Sequence, residues 1–367
     1  MRIMITGGGT GGHTSPAVAI VQELRRRDPQ LIVQWVGKKD AIEDRVAKSN
    51  AIPFRAVSAA GWPRKRTPKR LLVAVKMAWG LLQSYIYIQR FHPQAVIGVG
   101  GYVSLPLGFA ATLTKTPLYL HEQNKRLGMA NRILSKKVAH LFLGYPDTLG
   151  DYPKDRATHV GNPVRAGFTK PVPRNEACET LGLNPDQPVI LISGGSQGAR
   201  TLNSAIKELL PELKPDGPQL IWMTGKSEYN ECRTSAEKSN AHIEVFAFID
   251  DMVSAMTAAD LIITRAGAST TAELSLLGKP AILIPYPHAT DNHQLRNAEA
   301  FVEANAARLI EDHDCNGETL LQCITELLQS PATLNAMAEA TKGLAKPLAV
   351  ETMVDTIVAD LFSEGTK

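Results

Sequence analysis

Short apolar runs alternate along roughly the first 160 positions with segments whose apolar residues recur at helical spacing. The runs are short and almost free of charge, which predicts strands that are buried on both faces of a sheet. These strands are predicted at residues 2–6, 31–36, 54–57, 95–99, 118–120 and 138–143. Strands that alternate with helices form a parallel sheet with right-handed crossovers, so this half is predicted to be a doubly wound α/β domain.

A cluster of proline and glycine interrupts the alternation at residues 160–173 (V-G-N-P-V-R-A-G-F-T-K-P-V-P) and is typical of an interdomain linker. The pattern then restarts, with strands predicted at residues 189–193, 219–224, 243–246, 261–264 and 281–285. Each half begins with a strand, a glycine-rich loop and a helix. The predicted fold class is therefore α/β, with two Rossmann-like doubly wound domains, residues 1–162 and 163–344, and a cleft between them.

The first glycine-rich loop, G-G-G-T-G-G-H at residues 7–13, follows a predicted strand and precedes Ser15 and Pro16, which predict a helix start. This geometry directs backbone N–H groups and a helix N-terminus at an anion. The loop also satisfies the dinucleotide pattern G-x-G-x-x-G. However, the second predicted strand is followed by a glycine and two lysines, where a dinucleotide site needs an acidic residue for the ribose. The loop therefore favours a phosphate over a nicotinamide dinucleotide.

Glycine-rich or polar segments follow three predicted strands of the first half, at residues 7–13, 98–102 and 121–124. The carboxyl ends of parallel strands meet at one edge of the sheet, so we expect these segments to converge on one site, although glycines there could equally be turn residues. His13 has two interpretations. It caps the helix, or it supplies a titratable imidazole for acid–base chemistry beside a phosphate.

Two segments of the second half carry candidate sugar-binding residues. The stretch R-A-G-A-S-T-T-A-E at residues 265–273 leaves a strand and begins a helix. Glu273 is placed to accept both hydroxyls of a ribose or, with Thr270, to close a capping box. The polar loop at residues 285–294 follows the next strand and ends in Gln294, which suits a sugar hydroxyl.

Composition excludes several classes of protein. The chain has 367 residues, a net charge of +4 and 44% apolar residues, as expected for two soluble domains. The four cysteines form no C-x-x-C pair, which favours free thiols in a reducing compartment. The histidines lack metal-binding spacing and we interpret Asp312 and Asp314 as a solvated turn, so no metal and no cofactor are expected. Neither a nucleophile elbow, a signal peptide nor a membrane-spanning helix is expected.

Five of the seven residues at positions 64–70 (R-K-R-T-P-K-R) are basic, and an apolar segment with helical spacing follows them. One interpretation is a core helix behind a solvated basic loop. The other is an element that lies on an anionic membrane, with charges for the headgroups and apolar residues for the acyl boundary. Nucleic acid is not an expected partner, because no aromatic residues are interleaved with the charges.

Taken in order, the motifs of this chain resemble those of the MurG family over nearly its whole length. They are G-G-G-T-G-G-H, G-V-G-G-Y-V-S, H-E-Q-N, G-N-P-V-R, S-G-G-S-Q-G-A-R, F-I-D-D-M, R-A-G-A-S-T-T-A-E and D-N-H-Q. The resemblance implies an inverting glycosyltransferase of GT-B fold. Such an enzyme transfers N-acetylglucosamine from UDP-GlcNAc to the MurNAc 4-hydroxyl of undecaprenyl-diphospho-MurNAc-pentapeptide (lipid I), giving lipid II for peptidoglycan. It also implies that the last helix, within residues 345–367, packs on the N-terminal domain.

The resemblance further implies a role for each matching residue. On the acceptor side it implies His13, Tyr102 and Glu122, with His13 or Glu122 as the catalytic base. The residues implied near the sugar and the diphosphate are Thr10, Gly11, Gly12 and Asn124. The residues implied to bind UDP-GlcNAc are Arg165, Ser196, Gln197, Ile249, Ala268, Ser269, Thr270, Thr271, Ala272, Glu273 and Gln294. Arg165 and the amides of residues 194–197 would stabilise the leaving diphosphate without a metal.

The lipid-linked acceptor implies a peripheral protein at the cytoplasmic face of the bacterial plasma membrane, with residues 64–70 and the following helix on anionic lipid. The family resemblance also implies contacts with proteins of cell-wall synthesis and cell division. Two alternatives stay open: another nucleotide-sugar enzyme, such as a glycolipid synthase or a UDP-GlcNAc epimerase, and a regulatory module that only binds a nucleotide sugar. The H-E-Q-N and S-G-G-S-Q-G-A-R motifs favour the transferase.

Overall fold

A computed structural model of the chain describes residues 1–9, 11–62, 68–195 and 197–363. The chain forms two compact units. Unit 1 comprises Met1–Arg165 with Lys346–Lys367, and unit 2 comprises Ala166–Ala345.

Unit 1 is built on a parallel sheet whose strand order is β3-β2-β1-β4-β5-β6-β7. Its strands are β1 (Arg2–Thr6), β2 (Ile32–Gly37), β3 (Phe54–Ala56), β4 (Ala95–Gly98), β5 (Leu118–Glu122), β6 (His140–Leu143) and β7 (Ala157–His159). Its helices are α1 (Gly11–Arg27), α2 (Ile42–Ser49), α3 (Lys69–Phe91), α4 (Ser104–Thr114) and α5 (Met129–Leu134), with 3₁₀ turns at Ser135–Lys137 and Lys154–Arg156.

Both faces of this sheet are covered, which explains the uninterrupted apolar runs. Ile3 and Ile5 on β1 belong to the cluster that packs against α1. Met4, between them, points to the opposite face and belongs to the cluster that includes residues of α3 and α4. This two-sided burial is the physical reason why the sequence pattern predicts a buried strand here.

Unit 2 has a six-stranded parallel sheet in the order β10-β9-β8-β11-β12-β13. Its strands are β8 (Val189–Ser193), β9 (Gln219–Met223), β10 (Ile243–Phe246), β11 (Leu261–Thr264), β12 (Ala281–Leu283) and β13 (Ala307–Leu309). Its helices are α6 (Arg174–Thr180), α7 (Arg200–Leu209), α8 (Tyr229–Ala236), α9 (Met252–Ala258), α10 (Ala268–Leu277), α11 (His293–Glu303), α12 (Gly317–Leu328) and α13 (Pro331–Gly343). Short 3₁₀ turns lie at Ala166–Phe168, Leu210–Glu212 and Thr290–Asn292.

The chain returns to unit 1 with a last helix, α14 (Ala349–Ser363). Met353, Val354 and Ile357 of this helix are fully buried in the cluster around β1 and α1. The hydroxyl of Tyr119 on β5 donates a hydrogen bond to Asp360 over 3.2 Å. Helix α14 therefore completes the core of unit 1, although about 180 residues of unit 2 separate it from the rest of that unit in sequence.

In both sheets the strand order reverses beside the first strand of the unit. Strand β1 lies between β2 and β4, and β8 lies between β9 and β11. In doubly wound sheets a ligand crevice opens at this switch point, beyond the carboxyl ends of the two central strands. The prediction of two Rossmann-like α/β domains is confirmed, and each unit has one such position.

The predicted start of the first helix is wrong. Helix α1 begins at Gly11, so Pro16 lies inside it and Ser15 is no N-cap. Pro16 removes the N–H that would donate to the carbonyl of Gly12, a loss of one hydrogen bond that the helix tolerates near its N-terminus. As a consequence, His13 lies in the first helical turn.

Candidate active site

Two glycine loops of unit 1 meet at the switch point of its sheet. The loop after β1 contains Gly8 and Gly9, and the loop after β4 contains Gly100 and Gly101. A Cβ at Gly101 would lie 2.3 Å from the carbonyl oxygen of Gly8, so only glycine allows this approach. Gly9, Gly100 and Gly101 also adopt left-handed φ values of 88°, 91° and 81°. These glycines are required by the backbone, and they bring the β4 loop against the start of α1.

A buried carboxylate that the sequence analysis missed, Glu43, accepts hydrogen bonds from the first glycine loop. Glu43 on α2 is fully buried. Its two oxygens accept the backbone N–H groups of Gly9 over 3.2 Å and Lys38 over 3.1 Å. A Cβ at Gly8 would lie 2.4 Å from the carboxyl carbon of Glu43. The amide of Gly9 is thus bound by a carboxylate of the protein itself.

His13 contacts the loop after β4 and the end of β5. Its Nδ1 lies 3.0 Å from Oε1 of Gln123, and a Cβ on Gly100 would lie 3.3 Å from the same nitrogen. The amide nitrogen of Gln123 donates to the carbonyl of Val99 over 2.9 Å and lies 2.9 Å from Nδ1 of His121. Burial lowers the pKa of His121 to about 4, so this second imidazole is neutral at pH 7.

Glu122, the other predicted catalytic residue, is buried at the end of β5. Its Oε1 accepts hydrogen bonds from the backbone and side-chain amides of Asn124, each over 3.1 Å. Its Oε2 accepts from the backbone of Gly128 over 2.8 Å and from the side chain of Asn131 over 2.9 Å. The carboxylate therefore holds the segment from Asn124 to Asn131 in place.

Several other predicted residues of unit 1 lie near the same loops. Gly11 and Gly12 are the first residues of α1. The ring of Tyr102 lies 3.4 Å from the position that a Cβ on Gly9 would take. Arg165 is the last residue of the first segment of unit 1, Met1–Arg165, and is partly buried. Thr10 lies outside the residues that the structure describes.

Unit 2 has a second glycine loop at the corresponding position, after β8. Gly195 and Gly198 adopt φ values of 82° and 77°. A Cβ on Gly198 would lie 2.2 Å from the carbonyl oxygen of Thr224, so the loop packs directly on the backbone after β9. The loop leads into α7, whose first residue is Arg200. Gln197 is exposed in this loop, while Ser196 lies outside the described residues.

The segment after β11 shows that Glu273 does not cap its helix. Helix α10 begins at Ala268 with Gly267 as its N-cap, and no side chain caps it. Thr270 is therefore the third helical residue and Glu273 the sixth, so the capping-box alternative is wrong. Ala268, Thr271 and Glu273 are buried, and Ser269, Thr270 and Ala272 are partly buried. The run thus forms the N-terminal half of a helix at the switch point of unit 2.

An ion pair joins three strand exits of unit 2. Arg265, which follows β11, donates to the carbonyls of Ile284 over 3.1 Å and Pro285 over 3.2 Å, both after β12. It also pairs with Asp312, which follows β13 and accepts the hydroxyl of Thr201 over 3.1 Å. Asp312 is therefore ion-paired and not solvated, contrary to the prediction, whereas the turn itself and the exposure of Asp314 agree with it. The pair fixes the β12 exit beside the start of α10.

The remaining predicted residues of unit 2 lie in the segments that follow β10 and β12. The side-chain oxygen of Gln294 accepts the backbone N–H of Tyr286 over 2.9 Å, which turns its amide NH₂ away from that loop. Ile249 is buried in the segment after β10. Among the residues that the structure describes, no group of three or more histidine, cysteine, aspartate or glutamate side chains could hold a metal ion.

Helix α3 exposes an apolar stripe, which we call the α3 face. Its exposed residues are Leu71, Leu72, Val75, Trp79, Leu82, Tyr85 and Ile86. The opposite side packs on α4, and a Cβ on Gly80 would lie 1.9 Å from the carbonyl oxygen of Ser58. Residues 70–91 are long and apolar enough to span a membrane, with a mean hydropathy of 1.4, although the sequence analysis expected no such helix. Only 17% of this apolar stretch is buried inside the protein. The core-helix interpretation is therefore wrong. Arg64, Lys65 and Arg66 lie outside the described residues.

Comparisons with known proteins identify the family of this chain. Residues 3–143 match the glycosyltransferase family 28 N-terminal domain, and residues 189–353 match the C-terminal domain of the same family. A UDP-N-acetylglucosamine–N-acetylmuramyl-(pentapeptide) pyrophosphoryl-undecaprenol N-acetylglucosamine transferase from Desulforudis audaxviator is 38% identical, over 100% of both chains.

Two solved structures are similar to this chain in fold. The crystal structure of MurG from Acinetobacter baumannii is 30% identical and has a TM-score of 0.78, covering 98% of this chain and 99% of that one. The UDP-GlcNAc 2-epimerase from Neisseria meningitidis, bound to UDP-GlcNAc, has a TM-score of 0.66 at 15% identity, covering 98% of this chain and 100% of that one. The second likeness shows the fold alone, which is the two-domain GT-B type.

Proposed function

This chain belongs to glycosyltransferase family 28 and to the MurG transferases within it, and we propose that His13 is the general base of its reaction. The protein is a hexosyltransferase that moves N-acetylglucosamine from UDP-GlcNAc to lipid I and so forms lipid II. The finer assignments that follow, from single residues to the membrane surface, are our proposals.

The reaction has two chemical requirements. The acceptor hydroxyl must lose a proton as it attacks the anomeric carbon, and the leaving UDP needs stabilisation of its diphosphate charge. A titratable imidazole with a fixed orientation meets the first requirement. Backbone amides at helix N-termini and an arginine meet the second without a metal ion. We assign the first task to unit 1 and the second to unit 2 together with Arg165.

The observation that carries the choice of base is the contrast between His13 and Glu122. The two oxygens of Glu122 accept four hydrogen bonds from the protein, between 2.8 and 3.1 Å. A carboxylate has about four lone-pair sites, so these four bonds occupy the acceptor capacity of Glu122. Glu122 is therefore assigned to holding Asn124 and its loop for the acceptor. His13, at the N-terminus of α1, supplies an imidazole beside the glycine loops.

The donor site is assigned to the switch point of unit 2. Glu273, buried one and a half turns into α10, accepts the ribose hydroxyls. The amides of the loop before α7, including that of Gln197, and those at the start of α10, including that of Ala268, face the diphosphate, as helix N-termini favour anions. Ile249 contacts uracil through its backbone, and the outward NH₂ group of Gln294 binds the sugar. The residues assigned with them are Ser196, Ser269, Thr270, Thr271 and Ala272.

The acceptor site is assigned to the switch point of unit 1. Gly11 and Gly12 present their amides at the N-terminus of α1, where the diphosphate of the acceptor binds. Tyr102 and Asn124 border this position and contact the sugar, together with Thr10.

Because the acceptor carries a polyprenyl chain, the protein acts at a membrane. We assign contact with anionic lipid to the α3 face and to the basic residues 64–70 at its start. Helix α3 lies along the interface and does not cross it, because its inner side is held by α4 and Ser58. We assign the protein to the cytoplasmic face of that membrane, as the resemblance to the MurG family implies. Contacts with proteins of cell-wall synthesis and division stay a prediction.

Product analysis with purified protein tests the function. UDP should be released from UDP-GlcNAc only when a lipid I analogue is present, and the product should contain a new glycosidic bond of inverted configuration. Conversion of UDP-GlcNAc without an acceptor would indicate an epimerase instead. Binding of UDP-GlcNAc with no turnover under any condition would indicate a regulatory module.

A further inference from the structure

We infer that Gln123 is a positioning residue, which holds His13 in the tautomer with its proton on Nδ1 and its lone pair on Nε2. The inference rests on the proposed function, because it gives the base its proton-accepting atom. Gln123 has no assigned role so far, and its side chain is buried between two histidines.

The orientation of the Gln123 amide follows from the carbonyls around it. Its Nε2 lies 2.9 Å from the carbonyl oxygen of Val99 and 3.2 Å from that of His121. Carbonyl oxygens only accept hydrogen bonds, so the NH₂ group must be on this side. The opposite flip would place Oε1 against two carbonyl oxygens. Oε1 therefore faces His13, and the Nδ1 of His13 must donate to it over 3.0 Å.

His121 strengthens this orientation from the other end. Its Nε2 lies 3.0 Å from the carbonyl oxygen of Gly161, which fixes the proton of the ring on Nε2. The ring is neutral, so its Nδ1 carries a lone pair and accepts from the Gln123 amide over 2.9 Å. A directed chain of hydrogen bonds thus runs from His13 through Gln123 and His121 to the backbone of Gly161.

The consequence for catalysis concerns which nitrogen takes the proton. With Nδ1 donating to Gln123, a neutral His13 can accept a proton only on Nε2. In serine proteases a wrong histidine tautomer costs about 10⁴-fold in rate, with a charged partner holding the ring. A neutral amide holds the ring less firmly, so we expect about a ten- to hundredfold effect from its loss.

The first test needs no substitution. ¹⁵N spectra of histidine-labelled protein distinguish a protonated from an unprotonated ring nitrogen, and the His13 signals are identified as those that a His13→Asn variant lacks. The inference expects Nδ1–H and a bare Nε2 in the neutral ring. The opposite tautomer, or a mixture of the two, would overturn it even if Gln123 variants fail to fold.

The second test uses Gln123→Met, which keeps the length of the side chain and removes both its oxygen and its N–H donors to Val99 and His121. We expect the Nδ1–H preference to be lost and kcat to fall about ten- to hundredfold, with KM for UDP-GlcNAc unchanged. The acidic limb of the pH–rate profile should also move to lower pH, because Oε1 no longer stabilises the imidazolium. The other titratable groups on the surrounding elements are His121, Glu122, Tyr102 and Glu43. The substitution replaces none of them, but His121 loses the hydrogen bond that its Nδ1 accepts from Gln123.

The outcomes separate this inference from the choice of base. A Gln123→Met enzyme with the parent's tautomer and pH profile would contradict the positioning role, whatever its rate. If instead the tautomer changes as expected but His13→Ala stays active, then Gln123 orients His13 and the base assignment is wrong.

Discussion

At the scale of single residues, the buried His121 makes the stability of unit 1 depend on pH. Its folded pKa is about 4, because burial disfavours the charged ring, against 6.5 as the ordinary value. The unfolded chain therefore binds a proton that the folded chain rejects as the pH falls below 6.5. The contribution of His121 is complete above that pH, and about 3 kcal/mol is lost between pH 6.5 and pH 4.

We therefore expect the free energy of unfolding, measured by urea titration, to fall more steeply over this pH range in the parent than in a His121→Gln variant. Burial also lowers the pKa values of His140 and His159, and these residues contribute equally to both proteins. Parallel curves for the two proteins would show that His121 is not a buried neutral ring.

Glu273 provides a second residue-scale prediction. Its removal leaves the ribose hydroxyls without an acceptor, so Glu273→Ala should weaken UDP-GlcNAc binding by about 1–3 kcal/mol in calorimetry. Since Glu273 does not cap α10, the melting temperature should change little. Unchanged affinity for UDP together with a clearly lower melting temperature would mean that the carboxylate serves the fold and not the donor.

The residues that sequence analysis missed have one physical feature in common. Gln123, Glu43 and Asp312 act through partners that are distant in the chain, 110 positions for Gln123 and His13 and 47 for Asp312 and Arg265. The residues next to a carboxylate or amide in the sequence do not reveal which distant residue it will contact after folding. Glycine loops and strand ends can be predicted from the sequence, because glycine content and apolar runs are local properties.

At the scale of elements, the α3 face carries the membrane prediction. Each basic residue near an anionic surface contributes about 1 kcal/mol, so the five charges within residues 64–70 should matter strongly at low salt. Replacing Arg64, Lys65, Arg66, Lys69 and Arg70 with glutamine should reduce co-sedimentation with anionic vesicles. Turnover of a soluble, short-chain acceptor should stay near that of the parent.

A matched control removes five exposed charges from unit 2 instead, at Lys170, Lys214, Arg233, Lys238 and Arg308. This variant should bind vesicles almost as well as the parent at equal salt. If both variants lose the same binding, the attraction follows net charge alone and the α3 face has no special role.

The elements also show where sequence patterns succeed. The central strands, buried on both faces, were predicted to within a few residues because their apolar runs reflect that burial. The edge strands β7 and β13 have three residues each and went unpredicted, although the edge strand β3, equally short and partly exposed, was predicted. The start of α1 was misplaced because a serine–proline pair usually begins a helix, whereas here the helix already begins in the glycine loop.

At the scale of the whole molecule, the fold repeats one plan twice. Both units have a glycine loop after the first strand and a switch point beside it. This repetition is visible in the sequence because each half restarts with the same order of strand, loop and helix. The sequence repeat does not show which unit binds the donor and which binds the acceptor, because both glycine loops suit a phosphate.

The absence of a metal requirement is a prediction for the complete enzyme. Diphosphate stabilisation is assigned to Arg165 and to helix N-termini, so turnover should survive an excess of EDTA. Steady-state rates of UDP release with and without the chelator measure this. A loss of activity that magnesium restores would show that a divalent ion takes part in the reaction.

The central claim is that His13 is the base, and kcat of two variants tests it most directly. His13→Ala should lower kcat by about 10²- to 10⁴-fold, with UDP-GlcNAc affinity near normal and the acidic limb of the pH–rate profile lost. Glu122→Gln, checked for folding by its melting temperature, should keep a measurable rate and the same limb. The account is contradicted if folded Glu122→Gln is inactive while His13→Ala keeps most of its turnover.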